Sequence, residues 1–166
     1  MLDKKGFRYN VGIILANQDN RLFWGQRFYR DGWQFPQGGI QKYESLETAM
    51  YRELHEETGL LKQDVKIISQ TDRWYYYHLP RHMIRDDTYL GQKQKWFLLR
   101  LISDESRINL AAQSKPEFID WRWVNYWFPL HEIVSFKRPV YRKALTFMAK
   151  ALWDDSIHDL VIKQLV

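Results

Sequence analysis

Residues 38–60 read GGIQKYESLETAMYRELHEETGL, and this stretch governs how the rest of the chain is read. It meets the pattern G-x5-E-x7-R-E-U-x-E-E-x-G-U, with U aliphatic, at Gly38, Glu44, Arg52, Glu53, Leu54, Glu56, Glu57, Gly59 and Leu60. So many specified positions at fixed spacing are hard to meet by chance. Ser45 offers an N-cap hydroxyl to a helix over Leu46–Thr58, Glu47 suits its first turn, and Gly59 suits a C-terminal cap. On that helix Glu53, Glu56 and Glu57 stand at i, i+3 and i+4, so three carboxylates project from one face. Paired glutamates on a helix usually make a solvated face, and here the framework argues otherwise. Gly38 and Gly39 enter the helix where backbone must turn sharply or come close to a ligand. Like charges this close call for a cation, and Mg²⁺ takes carboxylate oxygens while leaving positions for phosphates. Arg52 is within reach of a neighbouring carboxylate and would fix its rotamer.

This pattern resembles the signature of the Nudix hydrolases. The resemblance implies a Nudix-type α/β/α sandwich, an α/β fold with a mixed central sheet, and hydrolysis of phosphoanhydride bonds in nucleoside diphosphate-linked compounds with Mg²⁺ or Mn²⁺. The flanks narrow it. Residues 33–39 (WQFPQGG) and 91–97 (GQKQKWF) are similar to the branch holding the bacterial RNA pyrophosphohydrolases and the diadenosine tetraphosphate hydrolases. Residues 6–12 (GFRYNVG), 114–118 (SKPEF), 121–124 (WRWV) and 134–138 (VSFKR) resemble the former. The likeness runs from about Gly6 to about Phe147, and residues 82–90 (HMIRDDTYL) are shorter than the loop usual at that place.

Residue by residue, the resemblance implies a catalytic group of Glu53, Glu56, Glu57 and Arg52. It implies a metal set of Glu53, Glu56, Glu57 and Glu117 with Gly38 beside them. Arg8 and Lys137 match basic residues that meet 5′ phosphates or nearby backbone, and Phe136 and Val134 match a patch for a base near the 5′ end. Arg27 ends a predicted strand and would line the same cleft, while Gln37, Gln92 and Lys95 lie in the two branch motifs. The activity implied is an RNA 5′-pyrophosphohydrolase that leaves a 5′-monophosphate and starts mRNA decay, with Glu53 or Glu57 as base. The alternative is hydrolysis of dinucleoside polyphosphates such as diadenosine tetraphosphate. Intact carboxylates argue against a third possibility, a non-catalytic nucleic-acid binding module on the same scaffold.

Composition fits an enzyme for polyanions. The net charge is +5, and outside residues 44–57 there are 24 Lys+Arg against 15 Asp+Glu, or +9. An acidic slot in a basic body suits a substrate that brings phosphates to metal ions. Eight Trp, ten Tyr and nine Phe supply rings that, interleaved with cations, hold single-stranded bases, although most belong to the core. Cysteine is absent, which excludes disulfides, thiolate metal sites and a cysteine nucleophile. The five histidines show no zinc-ligand spacing, and no Walker loop is present. The apolar run Val11–Ala16 is too short for a membrane span and MLDKKGFRYN lacks a signal-peptide shape, so the expected location is cytoplasmic.

Residues 1–153 read as one Nudix domain, with 154–166 a tail that either extends the last helix or hangs loose. Strands are expected over Arg8–Ala16, Arg21–Arg27, Val65–Gln70, Arg73–Leu79, Lys93–Ile102 and Trp121–Val124, with the first two forming a hairpin about Asn17–Asn20. Residues 78–92 read as a loop, and Tyr126–Val134 and Pro139–Trp153 as helices.

Overall fold

Strand β1 (Phe7–Ala16) is buried on both faces, which follows from its near-continuous apolar run VGIILA. Val11, Ile13 and Leu15 point to one core, and Ile14 and Ala16 to the other, as the period of two requires. The computed structural model describes residues 1–84 and 88–165, with side chains described as far as residue 158. One edge of β1 pairs in parallel with β7 (Gly91–Leu101) along its whole length. The other edge is shared: β4 (Gln37–Gly39) takes Asn10–Gly12, and β2 (Leu22–Arg27) meets β1 only at Ala16. Antiparallel partners complete a mixed eight-stranded sheet. β5 (Val65–Gln70) and β6 (Tyr75–His78) pair with β7, and β3 (Trp33–Gln34) and β8 (Phe118–Val124) pair with β2.

Helix α1 (Leu46–Thr58) covers one face through Ala49, Met50 and Leu54. Ser45 Oγ accepts from the Thr48 amide at 3.1 Å, and Gly59 closes the helix at φ 74, where a side chain would be strained. Helix α3 (Arg138–Leu165) covers the opposite face through Val140, Tyr141, Ala144, Leu145, Met148 and Leu152, over Trp24 and Trp96. The layers are therefore helix, mixed sheet, helix, the sandwich expected.

Several boundaries differ from the sequence reading. The expected helix over Tyr126–Val134 is one turn, α2 (Pro129–Glu132), because Ile133 and Val134 turn extended. A tight turn over Ser135–Lys137 then carries Phe136 and Lys137 back toward the sheet. The loop read over 78–92 gives up both ends to β6 and β7, and β6 itself starts only at Tyr75. Residues 85–87 of the short loop HMIRDDTYL lie outside the described residues. Helix α3 runs on through 154–165. Arg100, fully buried on β7, donates to Asp155 Oδ2 at 3.0 Å, Ser156 Oγ at 2.9 Å and the Leu152 carbonyl at 3.3 Å. It also donates to the Asn17 carbonyl at 2.6 Å and Asn20 Oδ1 at 2.8 Å, tying helix, sheet and the β1–β2 turn at one guanidinium.

Candidate active site

The C-terminal half of α1 lies against β4, and the contact depends on a missing side chain. A Cβ on Gly38 would stand 1.8 Å from the Glu53 carboxyl carbon, so only glycine leaves room for that carboxylate. Arg52 organises the acids around it. Its Nε and one terminal nitrogen each donate to Glu44 at 2.8 Å, and the latter also reaches the Gly39 carbonyl at 2.9 Å. The other terminal nitrogen donates to Glu53 at 2.6 Å and lies 3.5 Å from Glu56. This fork holds the Glu44 carboxyl below the usual range and raises the Arg52 guanidinium above its own.

Glu53 and Glu57 sit differently. Burial raises both, and Arg52 only partly offsets it at Glu53. Glu57 is pushed well above the carboxylate range by burial first, then by repulsion from Glu53 and Glu117. The Gln37 amide, 3.1 Å from Oε2, opposes this with a hydrogen bond. Glu53, Glu56, Glu57, Glu117 and Gly38 share an open slot of about 420 Å³, together with Gln113, Ser114 and Lys115 of the opposite loop. Among the described residues no three acids or histidines already converge on one point. Buried, mutually repelling carboxylates around open space nevertheless suit a divalent ion that keeps part of its water shell.

The slot opens into a cleft of about 870 Å³, the two sharing Arg8, Gln37, Gln92, Glu57 and Glu117. Here the residues turn cationic and aromatic. The Arg8 guanidinium lies on Gly39, where a Cβ would come within 2.4 Å of it. Arg27 Nε stands 3.6 Å from Glu117. Lys137 is buried, donates to Gln34 Oε1 at 3.0 Å, and lies 5.7 Å from the centre of the Tyr77 ring. Burial, then repulsion from Arg27, lowers its ammonium to about 8. Phe136 packs on Tyr77 at 5.6 Å. Gln92 Oε1 accepts from Tyr77 Oη at 2.8 Å and Gln37 Nε2 at 3.4 Å. Beneath them the fully buried Gln94 donates to Asn10 Oδ1 at 2.8 Å and Gln37 Oε1 at 3.3 Å.

Two candidates fall elsewhere. Lys95 does not line the cleft: an odd step along β7 from Gln92 turns it to the other sheet face. There its amine donates to the carbonyls of Thr71 and Asp72 at 3.0 and 2.8 Å. Val134 is 38% exposed and stands outside the lining that Phe136 and Lys137 form two and three residues on. Sequence reading missed Tyr77, Gln34 and Gln94, and the cleft residues Tyr29 and Arg30. Gln34 and Gln94 lie within the two branch motifs, and alternation in YYYH puts Tyr77 on the inner face with Tyr75.

A mixed sheet between two helix layers, with this acid-lined slot at its helix–strand junction, defines a Nudix-family pyrophosphohydrolase that acts on phosphoanhydride bonds. The family profile for the NUDIX domain matches residues 6–148, and the chain belongs to that family. More particularly, an RNA pyrophosphohydrolase of Francisella tularensis subsp. mediasiatica is 56% identical over 149 residues, covering 89% of this chain and 96% of that protein. The RNA pyrophosphohydrolase of Shewanella denitrificans is 50% identical over 162 residues, covering 96% and 94%. Among solved structures, the E. coli dihydroneopterin triphosphate pyrophosphohydrolase superposes with TM-score 0.63 at 18% identity, over 86% of this chain and 99% of that one. A C. elegans Ap4A hydrolase gives TM-score 0.62 at 18% identity, over 86% and 98%. At such identities the likeness is one of fold.

Proposed function

We propose that this protein is an RNA 5′-pyrophosphohydrolase that converts 5′-triphosphate or 5′-diphosphate RNA ends to 5′-monophosphate, releasing pyrophosphate or phosphate. The observation that carries this reading is the continuity of the acid slot with a larger cationic and aromatic cleft. A 5′ end laid across that junction puts its phosphoanhydrides among the carboxylates and its first bases beside Phe136. Relatives named RNA pyrophosphohydrolase, at 50–56% identity over most of both chains, support the same substrate.

Glu53, Glu56, Glu57 and Glu117, with the Gly38 carbonyl beside them, would hold divalent ions, Mg²⁺ or Mn²⁺. Such ions supply charge that offsets the phosphoanhydride oxygens and acidify water held in the slot. Glu53 and Glu57 are the candidates to take the proton of the attacking water. As its oxygen bonds to phosphorus, the anhydride bridge breaks and the bridging oxygen leaves with the departing phosphate. Arg52 keeps Glu53 in one rotamer through its fork on Glu44. Arg8, Arg27 and Lys137 bind the polyphosphate and orient it. The setting we propose is the bacterial cytoplasm, where the product end would start mRNA decay. In keeping with this, no helix among the described residues is long and apolar enough to cross a membrane.

The test sets a short 5′-triphosphorylated RNA against diadenosine tetraphosphate, each with Mg²⁺, and compares kcat/KM. Higher kcat/KM on the RNA, with a 5′-monophosphate product, is expected; higher kcat/KM on the dinucleotide would overturn the assignment. Glu53→Gln is expected to lose at least about 100-fold in kcat, the low end for removing a proton-transfer group, with its circular dichroism intact. Full activity in that variant would remove Glu53 from the chemistry.

A further inference from the structure

Resting on the RNA reading above, we propose that the β2–β3 loop forms a subsite for a nucleotide downstream of the 5′ end, with the Tyr29 ring as its stacking platform and Arg30 as its phosphate contact. Tyr29 and Arg30 line the large cleft but not the acid slot. Tyr29 is 66% exposed, so its ring is open to a base arriving in the cleft. Phe28 backs it, the two ring centres 4.6 Å apart and tilted by 54°, which limits the conformations of Tyr29 before a base arrives. The loop has a firm base. The Arg27 amide donates to the Gly32 carbonyl at 3.0 Å, and the Phe28 amide donates to the Glu117 carbonyl at 2.7 Å.

The loop is therefore fastened to the segment that carries an acid of the slot. Consecutive Cα atoms are about 3.8 Å apart, so Tyr29 stands no more than about 8 Å along the backbone beyond Arg27. A base seated against Phe136, beside Arg27, leaves its 3′ neighbour to reach Tyr29 next. Arg30 adds to the positive field felt at Lys137, so its charge is directed at the cleft. Asp31, the one acid in the loop, is not among the lining residues. An exposed ring beside a guanidinium, at the mouth of a cationic groove, is how single strands are held without reading sequence, since every base has a π-face.

The experiment measures kcat/KM on 5′-triphosphorylated RNAs of two, three, four and eight nucleotides, at several salt concentrations. For the native protein a rise of about tenfold is expected on lengthening from two to four nucleotides, then a plateau, the size that stacking of one base supplies. Tyr29→Ala should collapse the long-to-short ratio toward one, while Tyr29→Trp, which keeps a ring, should preserve it. Arg30→Gln should make the salt dependence on the octamer shallower by about 0.7 in log–log slope, the share of one phosphate contact. A native ratio near one, or a Tyr29→Ala loss equal at every length, would overturn the subsite and leave the RNA activity standing. Failure to turn over any of these RNAs, with diadenosine tetraphosphate still cleaved, would remove both readings together.

Discussion

Tyr43 holds the left-handed region at φ 66 with its ring 94% exposed. A residue with a Cβ holds that conformation at a cost of about 1–2 kcal/mol, and the Lys42 amine 4.9 Å from the ring centre is a weak, solvated compensation. Tyr43→Gly is therefore expected to raise stability by about 1 kcal/mol in urea unfolding, and an unchanged or lower midpoint would refute the strain. Lys137 makes a different kind of demand. Its ammonium is lowered to about 8 by burial, so the folded protein releases that proton before an unfolded chain does. Between about pH 8 and the ordinary lysine value of about 10.4 the unfolded state binds more protons, and stability rises with pH across that window. Below about pH 8 the penalty for the buried charge is fully present. Lys137→Met should thus melt higher than the native protein at pH 7, the gap narrowing as pH climbs through about 8 to 10. Function should move the opposite way, with KM for triphosphorylated RNA rising above about pH 8 as the ammonium discharges. A KM limb that survives in Lys137→Met would assign that titration to another group.

At the scale of elements, α3 is fastened by charge as well as by its apolar face. Arg100 and Lys66 both pair with Asp155, at 3.0 and 2.7 Å, and Arg100 is buried. Removing one partner of such a pair leaves an uncompensated buried ion, so Asp155→Ala should cost about 3 kcal/mol by urea unfolding, with faster amide exchange around residues 152–158. A change below about 1 kcal/mol would show that solvent already screens the pair. The same element shows where sequence reading stops. Helix α1 was legible because cap, periodicity and C-terminal glycine lie within fifteen residues of one another. Residues 154–165 were not, because their anchor is a guanidinium 55 residues back in the chain. Strands β3 and β4 span two and three residues, too few for alternation to register, although they place Gln34, Gln37 and Gly38. The four acids of the slot were legible from spacing and resemblance, with the positioning of Arg52. Lys95 was misplaced because the motif holding it says nothing of strand phase, and one step decides which face a side chain meets.

At the scale of the whole molecule, charge and topology act together. The sheet gathers Arg8 from β1, Arg27 from β2 and Lys137 from the turn before α3 into one cleft, beside an acid cluster that would otherwise repel phosphates. These three cationic contacts predict that log kcat/KM on a dinucleotide RNA falls with log salt at a slope of about −2, from roughly 0.7 per contact on a single strand, with Arg30 steepening it toward about −3 on the octamer. A slope near zero would mean that these cations are structural. The Arg100 guanidinium near the end of β7 bears on a different matter, how short the enzyme can be made. The family profile ends at residue 148, and a protein engineer seeking a minimal enzyme would place the stop codon there. That cut discards Leu152, Asp155 and Ser156, and leaves the buried Arg100 guanidinium without its carboxylate, held by the Asn17 carbonyl and Asn20 Oδ1 of the β1–β2 turn. The shortened chain should express poorly and aggregate, and a second change, Arg100→Met, should recover part of the yield. The smallest piece that folds is longer than the smallest piece that is recognised.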